Sequence, residues 1–120
     1  MKNEKFKILE FIRNLIVNID NNLVNFPKKD IELKNRIRNN SYDLLEFAYK
    51  ANVISNNEIK ISTIEECIAK VKVIDFLLNL CYDKQIINSK KYIKFGAKID
   101  DILKYMVGWL KTINLEKNRA

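Results

Sequence analysis

The chain contains very few residues that would interrupt a helix. Its 120 residues include two glycines and one proline, Pro27, whereas sheet-rich folds need many tight turns. Between these few breaks, apolar residues recur at spacings of three and four, the pattern of amphipathic helices. The sequence therefore predicts one all-α domain spanning 1–120, an up-and-down antiparallel four-helix bundle. We expect helices over about 3–25, 28–54, 62–84 and 89–114.

Local signals suggest where these helices begin and end. Pro27 removes a backbone donor and ends the first helix just before it. Ser62 and Thr63 are each followed three residues later by a glutamate, so the third helix is expected to start at one of them. Ser89 is the expected N-cap of the fourth helix. The polar segment 114–120 is expected to fray.

Each predicted helix has one apolar face that we assign to the core. The third helix also has an apolar stripe on roughly the opposite side, made by Val73, Phe76 and Leu80. The predicted core residues are Ile8, Ile12, Leu15, Ile16, Ile19 and Leu23; Leu33, Ile37, Leu44, Ala48 and Ala51; Ile64, Cys67, Ile68, Val71, Ile74, Leu78 and Cys81; and Phe95, Ile99, Ile102, Leu103, Met106, Leu110 and Ile113.

The stripe on the third helix predicts an interface between subunits, because one bundle covers only one side of a helix. The alternative is that a splayed bundle or the C-terminal segment covers it. Trp109 is a further candidate interface residue. Its neighbour Gly108 lies inside the fourth helix, where glycine is costly unless close packing of the backbone against another helix requires it.

The chain is basic, with 22 basic and 15 acidic residues and a net charge of +7. Such a surface attracts polyanions or an acidic protein partner, although interleaved charges also fit a solvated surface with no ligand. On the fourth helix Lys91, Lys94 and Lys98 line up with Asp101 and Tyr105. This stripe fits phosphate contact, or alternatively a solvated flank with a Lys98–Asp101 pair.

The residue types that usually carry catalysis are scarce. The chain has no histidine and only two cysteines, which the predicted helix places too far apart to form a disulfide. No phosphate-binding loop, nucleophile elbow or metal-ligand motif occurs. We therefore predict a protein that is not an enzyme and has no catalytic residue, cofactor or metal. No apolar run predicts a signal peptide or a membrane partner, so the expected location is the cytoplasm.

Several segments together resemble a known family. They are FPK at Phe26–Lys28, RIR at Arg36–Arg38, the run LLEF..KAN ending at Asn52, LCYDKQIINSKKY at Leu80–Tyr92 and VGWLK at Val107–Lys111. Their order and spacing resemble the accessory variability determinant (Avd) proteins of diversity-generating retroelements, and their relatives, the four-helix proteins encoded in intervening sequences of 23S rRNA genes. The resemblance extends from the first helix to Lys111.

This resemblance implies a ring-like homopentamer with a basic surface. It implies a non-catalytic protein that binds a reverse transcriptase and its template RNA and supports the mutagenic cDNA synthesis that diversifies a target gene. The alternative, of the intervening-sequence kind, is a structural or interaction protein without a polymerase partner.

The chain departs from the family pattern at Asp75 and Asn79, where arginines are expected. Because the third helix lacks these two cations, we assign the candidate nucleic-acid or polymerase contacts to the second and fourth helices. Of the two arginines of the RIR segment, we expect Arg36 to lie nearer the core face and Arg38 to point toward solvent. The candidate contacts are Lys28, Lys29, Lys34, Arg36, Arg38, Lys91, Lys94 and Lys98.

Overall fold

Four long helices make up most of the structure. The computed structural model describes the backbone of residues 4–119 and the side chains of residues 7–116. The helices are α1 (Glu4–Asn22), α2 (Ile31–Val53), α3 (Asn57–Asp83) and α4 (Ser89–Arg119), and a 3₁₀ turn, Lys28–Asp30, precedes α2. Within 4–119 there is no strand, so the all-α prediction is confirmed.

The helices follow one another around a single core. Each contacts the next in sequence, α4 closes against α1, and among the described residues the backbones of diagonally opposite helices do not come close to each other. The connections are short, so neighbouring helices run antiparallel. This is the arrangement of an up-and-down four-helix bundle, with extents of 52 × 25 × 21 Å. The connections after α1 and after α3 consequently lie at the same end.

The core contains the residues that the helical periodicity assigns to it. Most are fully buried, and the exceptions Ile16, Leu33, Ile68, Leu103 and Leu110 are half-buried and packed against the core. Ile87, from the connection between α3 and α4, is also buried; it was missed because that short connection has no periodicity to reveal it.

One predicted helix start and one predicted N-cap residue are wrong, because asparagines take the capping role in both places. The side-chain oxygen of Asn56 accepts a hydrogen bond from the backbone nitrogen of Ile59 at 3.0 Å, so α3 begins at Asn57. Thr63, a predicted start, lies inside the helix and donates its hydroxyl to the Ile59 carbonyl. In α4, Asn88 accepts from the Lys91 nitrogen at 2.9 Å, so it takes the capping role predicted for Ser89.

Helix ends differ from the predictions too. α1 stops at Asn22, three residues before the predicted end, and the following turn places Phe26 against the core. α4 continues to Arg119 through most of the segment expected to fray, because neither glycine nor proline follows Gly108.

The explanation offered for Gly108 is also wrong. A Cβ atom built on this residue meets nothing within 4 Å, so no neighbouring helix packs closely against it. Gly108 lies instead on the open side of α4, at the wall of a cavity lined also by Tyr105 and Trp109.

Both cysteines are free and buried. Burial raises the pKa of Cys67 to about 12 and that of Cys81 to about 11. Because the thiolate is the reactive form, we expect neither thiol to react with iodoacetamide at about pH 8 in the folded protein, and both to react once denaturant is added. Mass spectrometry measures this directly, and rapid modification of the folded protein would contradict the burial.

Candidate nucleic-acid interface

The antiparallel topology brings two separate basic segments to one end of the bundle. One is the 3₁₀ turn and the start of α2, and the other is the connection to α4 and the start of α4. An ion pair joins them, with Lys84 Nζ 3.2 Å from Asp30 Oδ1. We call this surface the basic end; its cations are Lys28, Lys29, Lys34, Arg36, Arg38, Lys84, Lys90, Lys91, Lys94 and Lys98.

The basic end has few acidic residues to balance these cations. The range 84–98 contains five lysines and no acidic residue, and the range 28–38 contains five cations and two acids. Asp30 is the partner of Lys84. Two further acids lie at this end, Asp20, which pairs with Arg38, and Asp83 at the end of α3, so four acids face ten cations. The positive charge of this surface is therefore largely uncompensated, which favours contact with a polyanion.

Most predicted contact residues are accessible. Lys28, Lys29, Arg36, Lys91 and Lys94 are exposed, and Lys34 and Lys98 are half-buried. Within residues 7–116 none of these seven belongs to an ion pair, so the suggested Lys98–Asp101 pair does not form. Lys90 is equally exposed and was missed by the sequence analysis, although the acid-free run of lysines around it was a usable signal.

A cleft between the end of α1 and the start of α4 collects several polar donors. Its volume is about 240 Å³, and its walls are Asn18, Asn22, Asn88, Lys90, Lys91 and Lys94. The Asn22 amide donates to the backbone oxygen of Asn18 at 2.7 Å and to its side-chain oxygen at 2.8 Å, which holds this wall in place. Ammonium and amide groups are the usual donors to phosphate oxygens.

The positions of the two arginines reverse the prediction. Arg36 is exposed, whereas Arg38 is half-buried and joins α2 to α1: its Nε lies 3.5 Å from Asp20 Oδ1. Its Nη2 donates to the Tyr42 hydroxyl at 3.2 Å, and this hydrogen bond raises the pKa of the guanidinium. Arg38 therefore contributes first to helix packing, and Arg36 is the cleaner candidate for a phosphate contact.

The apolar stripe on α3 is uncovered in the single chain. Phe76 is 61% exposed and Val73 is 45% exposed, while Leu80 is half-buried. Neither of the alternatives considered, a splayed bundle or the C-terminal segment, covers it among the described residues. The stripe therefore remains a candidate interface between subunits.

Trp109 does not share that surface. It packs edge-on against Tyr105 with ring centroids 6.3 Å apart, and the Lys60 ammonium lies 6.0 Å from its ring centre. Lys60 precedes Phe76 by 16 residues, which is roughly 24 Å along a helix. Any interface built on Val73, Phe76 and Leu80 is thus remote from Trp109 within one subunit.

No helix in the described part of the chain is long and apolar enough to cross a bilayer. Among the same residues, no cluster of three or more histidine, cysteine, aspartate or glutamate side chains is placed to bind a metal ion.

The chain is thus a four-helix protein with a basic end and an uncovered apolar stripe. In comparison with known proteins, no family model, no curated protein and no solved structure matches it. The resemblance to the Avd and intervening-sequence proteins therefore stays a prediction from the sequence motifs.

Proposed function

We propose that this protein binds RNA through the basic end and acts as a non-catalytic accessory protein of a reverse transcriptase in a diversity-generating retroelement. The proposal of RNA binding is supported chiefly by one observation: two lysine-rich segments lie together at one end of the bundle. The motif resemblance supports the polymerase partner and the supporting role in mutagenic cDNA synthesis.

The chemistry of the basic end suits a nucleic-acid backbone. Its exposed side chains are mainly lysines, which contact phosphates as point charges and do not read base sequence. Binding of this kind tolerates different RNA sequences. Its affinity falls steeply as the salt concentration rises, because each phosphate that the protein neutralises releases counterions. The amide groups of Asn18 and Asn88 in the α1–α4 cleft add neutral donors that salt does not screen.

Purified protein tests the proposal in two steps. We expect measurable affinity for a labelled RNA at about 50 mM salt, and a large loss of affinity at about 200 mM. We also expect it to copurify with a reverse transcriptase encoded beside it. RNA binding without a polymerase partner, together with a position in an rRNA operon, would favour the intervening-sequence alternative; no RNA binding at low salt would refute the proposal.

We further propose that the chain forms a homo-oligomer through the α3 stripe, a pentamer according to the resemblance. Phe76→Glu is expected to shift the assembly to monomers, because a charge buried at an interface without a partner is costly. Light scattering coupled to gel filtration measures the mass of each variant.

The matched control for this variant is Ile59→Glu, which places the same charge on the same helix outside the stripe. Ile59 is 54% exposed, so the control should retain the wild-type mass. A monomeric wild type, or equal dissociation by both variants, would contradict an interface at Val73, Phe76 and Leu80.

A further inference from the structure

Two tyrosines stack on each other where α3 connects to α4. Tyr82 lies in the last turn of α3 and Tyr92 in the first turn of α4; their ring centroids are 5.1 Å apart and their planes differ by 10°. Asn79 donates its amide to the Tyr92 hydroxyl at 2.9 Å, which fixes the inner ring. Tyr82, the outer ring, is 40% exposed. The pair therefore presents a supported aromatic ring near solvent.

A shallow cleft lies beside Tyr82. Its volume is about 470 Å³, and besides Tyr82 it is lined by Asp83, Gln85, Ile87 and Asn88. Ile87 is buried in the core beneath the cleft, and the backbone nitrogen of Gln85 donates to the backbone carbonyl of Tyr82 at 3.0 Å. The cleft is therefore preformed, and the side-chain amides of Gln85 and Asn88 offer both donors and acceptors to the edge of a planar ligand.

The cleft beside Tyr82 adjoins the α1–α4 cleft, with which it shares one lining residue. Asn88 lines both the cleft beside Tyr82 and the cleft that contains Lys90, Lys91 and Lys94. An aromatic ring with a cationic groove next to it is the combination that binds single-stranded nucleic acid, because the bases stack while the phosphates follow the cations. A duplex keeps its bases stacked on each other and offers no free face to such a ring.

We infer that the Tyr82–Tyr92 pair is a stacking platform for an unpaired base of single-stranded RNA whose phosphates contact the lysines of the basic end. This inference rests on the proposed RNA-binding function and specifies its ligand as single-stranded. Tyr82 supplies the stacking face, Tyr92 supports it from behind, and Asn79 holds Tyr92. Asn79 is also a position where the chain departs from the family pattern, and here it has a defined structural role.

Fluorescence anisotropy with a labelled oligouridine of about 12 nucleotides and an RNA duplex of similar length tests this inference. We expect Tyr82→Ala to weaken binding of the single strand on the order of tenfold and to leave duplex binding and the salt dependence unchanged. Tyr82→Phe, which keeps the ring, should bind like the wild type. Tyr49→Ala removes another exposed tyrosine, on α2 near the opposite end, and should also bind like the wild type.

A second measurement does not depend on how well the alanine variant folds. A single 2-aminopurine in the oligouridine should lose fluorescence when the wild-type protein binds, because stacking on an aromatic ring quenches it. Unquenched fluorescence on saturation, or a Tyr82→Ala variant that folds and binds the single strand with wild-type affinity, would overturn the stacking platform while leaving the basic end intact. If the wild type binds neither RNA at low salt, the proposed function and this inference both fail.

Discussion

Replacing Lys28, Lys29, Lys90 and Lys91 together by glutamine is expected to weaken RNA binding on the order of 100-fold at about 0.1 M salt. All four lysines are exposed and without an ion pair among the described residues, so their ammonium groups are available to phosphates. The substitution keeps a flexible, polar side chain of nearly the same length and removes the positive charge. The slope of log affinity against log salt should fall by about 3 for a single strand.

A control variant with the same loss of charge separates a local surface from the effect of net charge. Lys7, Lys72, Lys104 and Lys111 are also exposed and lie outside the basic end, so their replacement by glutamine should cost much less affinity. Equal losses in the two variants would show that RNA responds to the total charge and not to the basic end. Anisotropy titrations at several salt concentrations give both quantities.

Phe95→Ala is expected to destabilise the fold by about 3–5 kcal/mol. Phe95 is completely buried and is among the largest side chains in the core. Its removal loses the transfer free energy of the ring and leaves a cavity that the packed helices fill only in part. A single domain has roughly 5–15 kcal/mol of stability in total, so this one change should bring the protein close to unfolding.

Urea denaturation monitored by circular dichroism measures the loss in the free energy of unfolding. All variants are compared at one protein concentration, so that any self-association affects them alike. Ile93→Ala is the matched control, because Ile93 lies two residues away on α4 and is 69% exposed. It should change the free energy of unfolding by no more than about 0.5 kcal/mol. A loss below about 1 kcal/mol in Phe95→Ala would mean that the ring does not fill the core as described.

The helices and their core faces could be predicted because they depend on local periodicity. A helix that must bury one face repeats its apolar residues every three or four positions. Few glycine or proline residues interrupt that repeat in this chain. The helix starts could not be predicted as well, since several polar residues near each boundary compete for the capping role. Asn56 and Asn88 take that role in the structure, although the capping-box pattern points to Ser62 or Thr63.

The candidate site was only partly predictable because its residues come from distant segments. Charge runs in the sequence identify most of the cations, but they do not show that Lys84 meets Asp30 or that asparagines of α1 face lysines of α4. The roles of Arg36 and Arg38 were reversed because the deciding partner of Arg38, Asp20, belongs to another helix. Likewise, nothing local indicates that Tyr82 and Tyr92 stack across a turn.

The sequence by itself determined an all-α chain of four helices, most of the residues of its core and the excess of positive charge, since each of these follows from composition or from neighbours along one helix. Only the tertiary structure decided that the lysines of the α1–α2 and α3–α4 connections share one end, that Arg38 is engaged while Arg36 is free, and that Tyr82 has an aromatic support. The physical reason is that packing of antiparallel helices sets distances between residues far apart in the chain, and a side chain's availability depends on those distances.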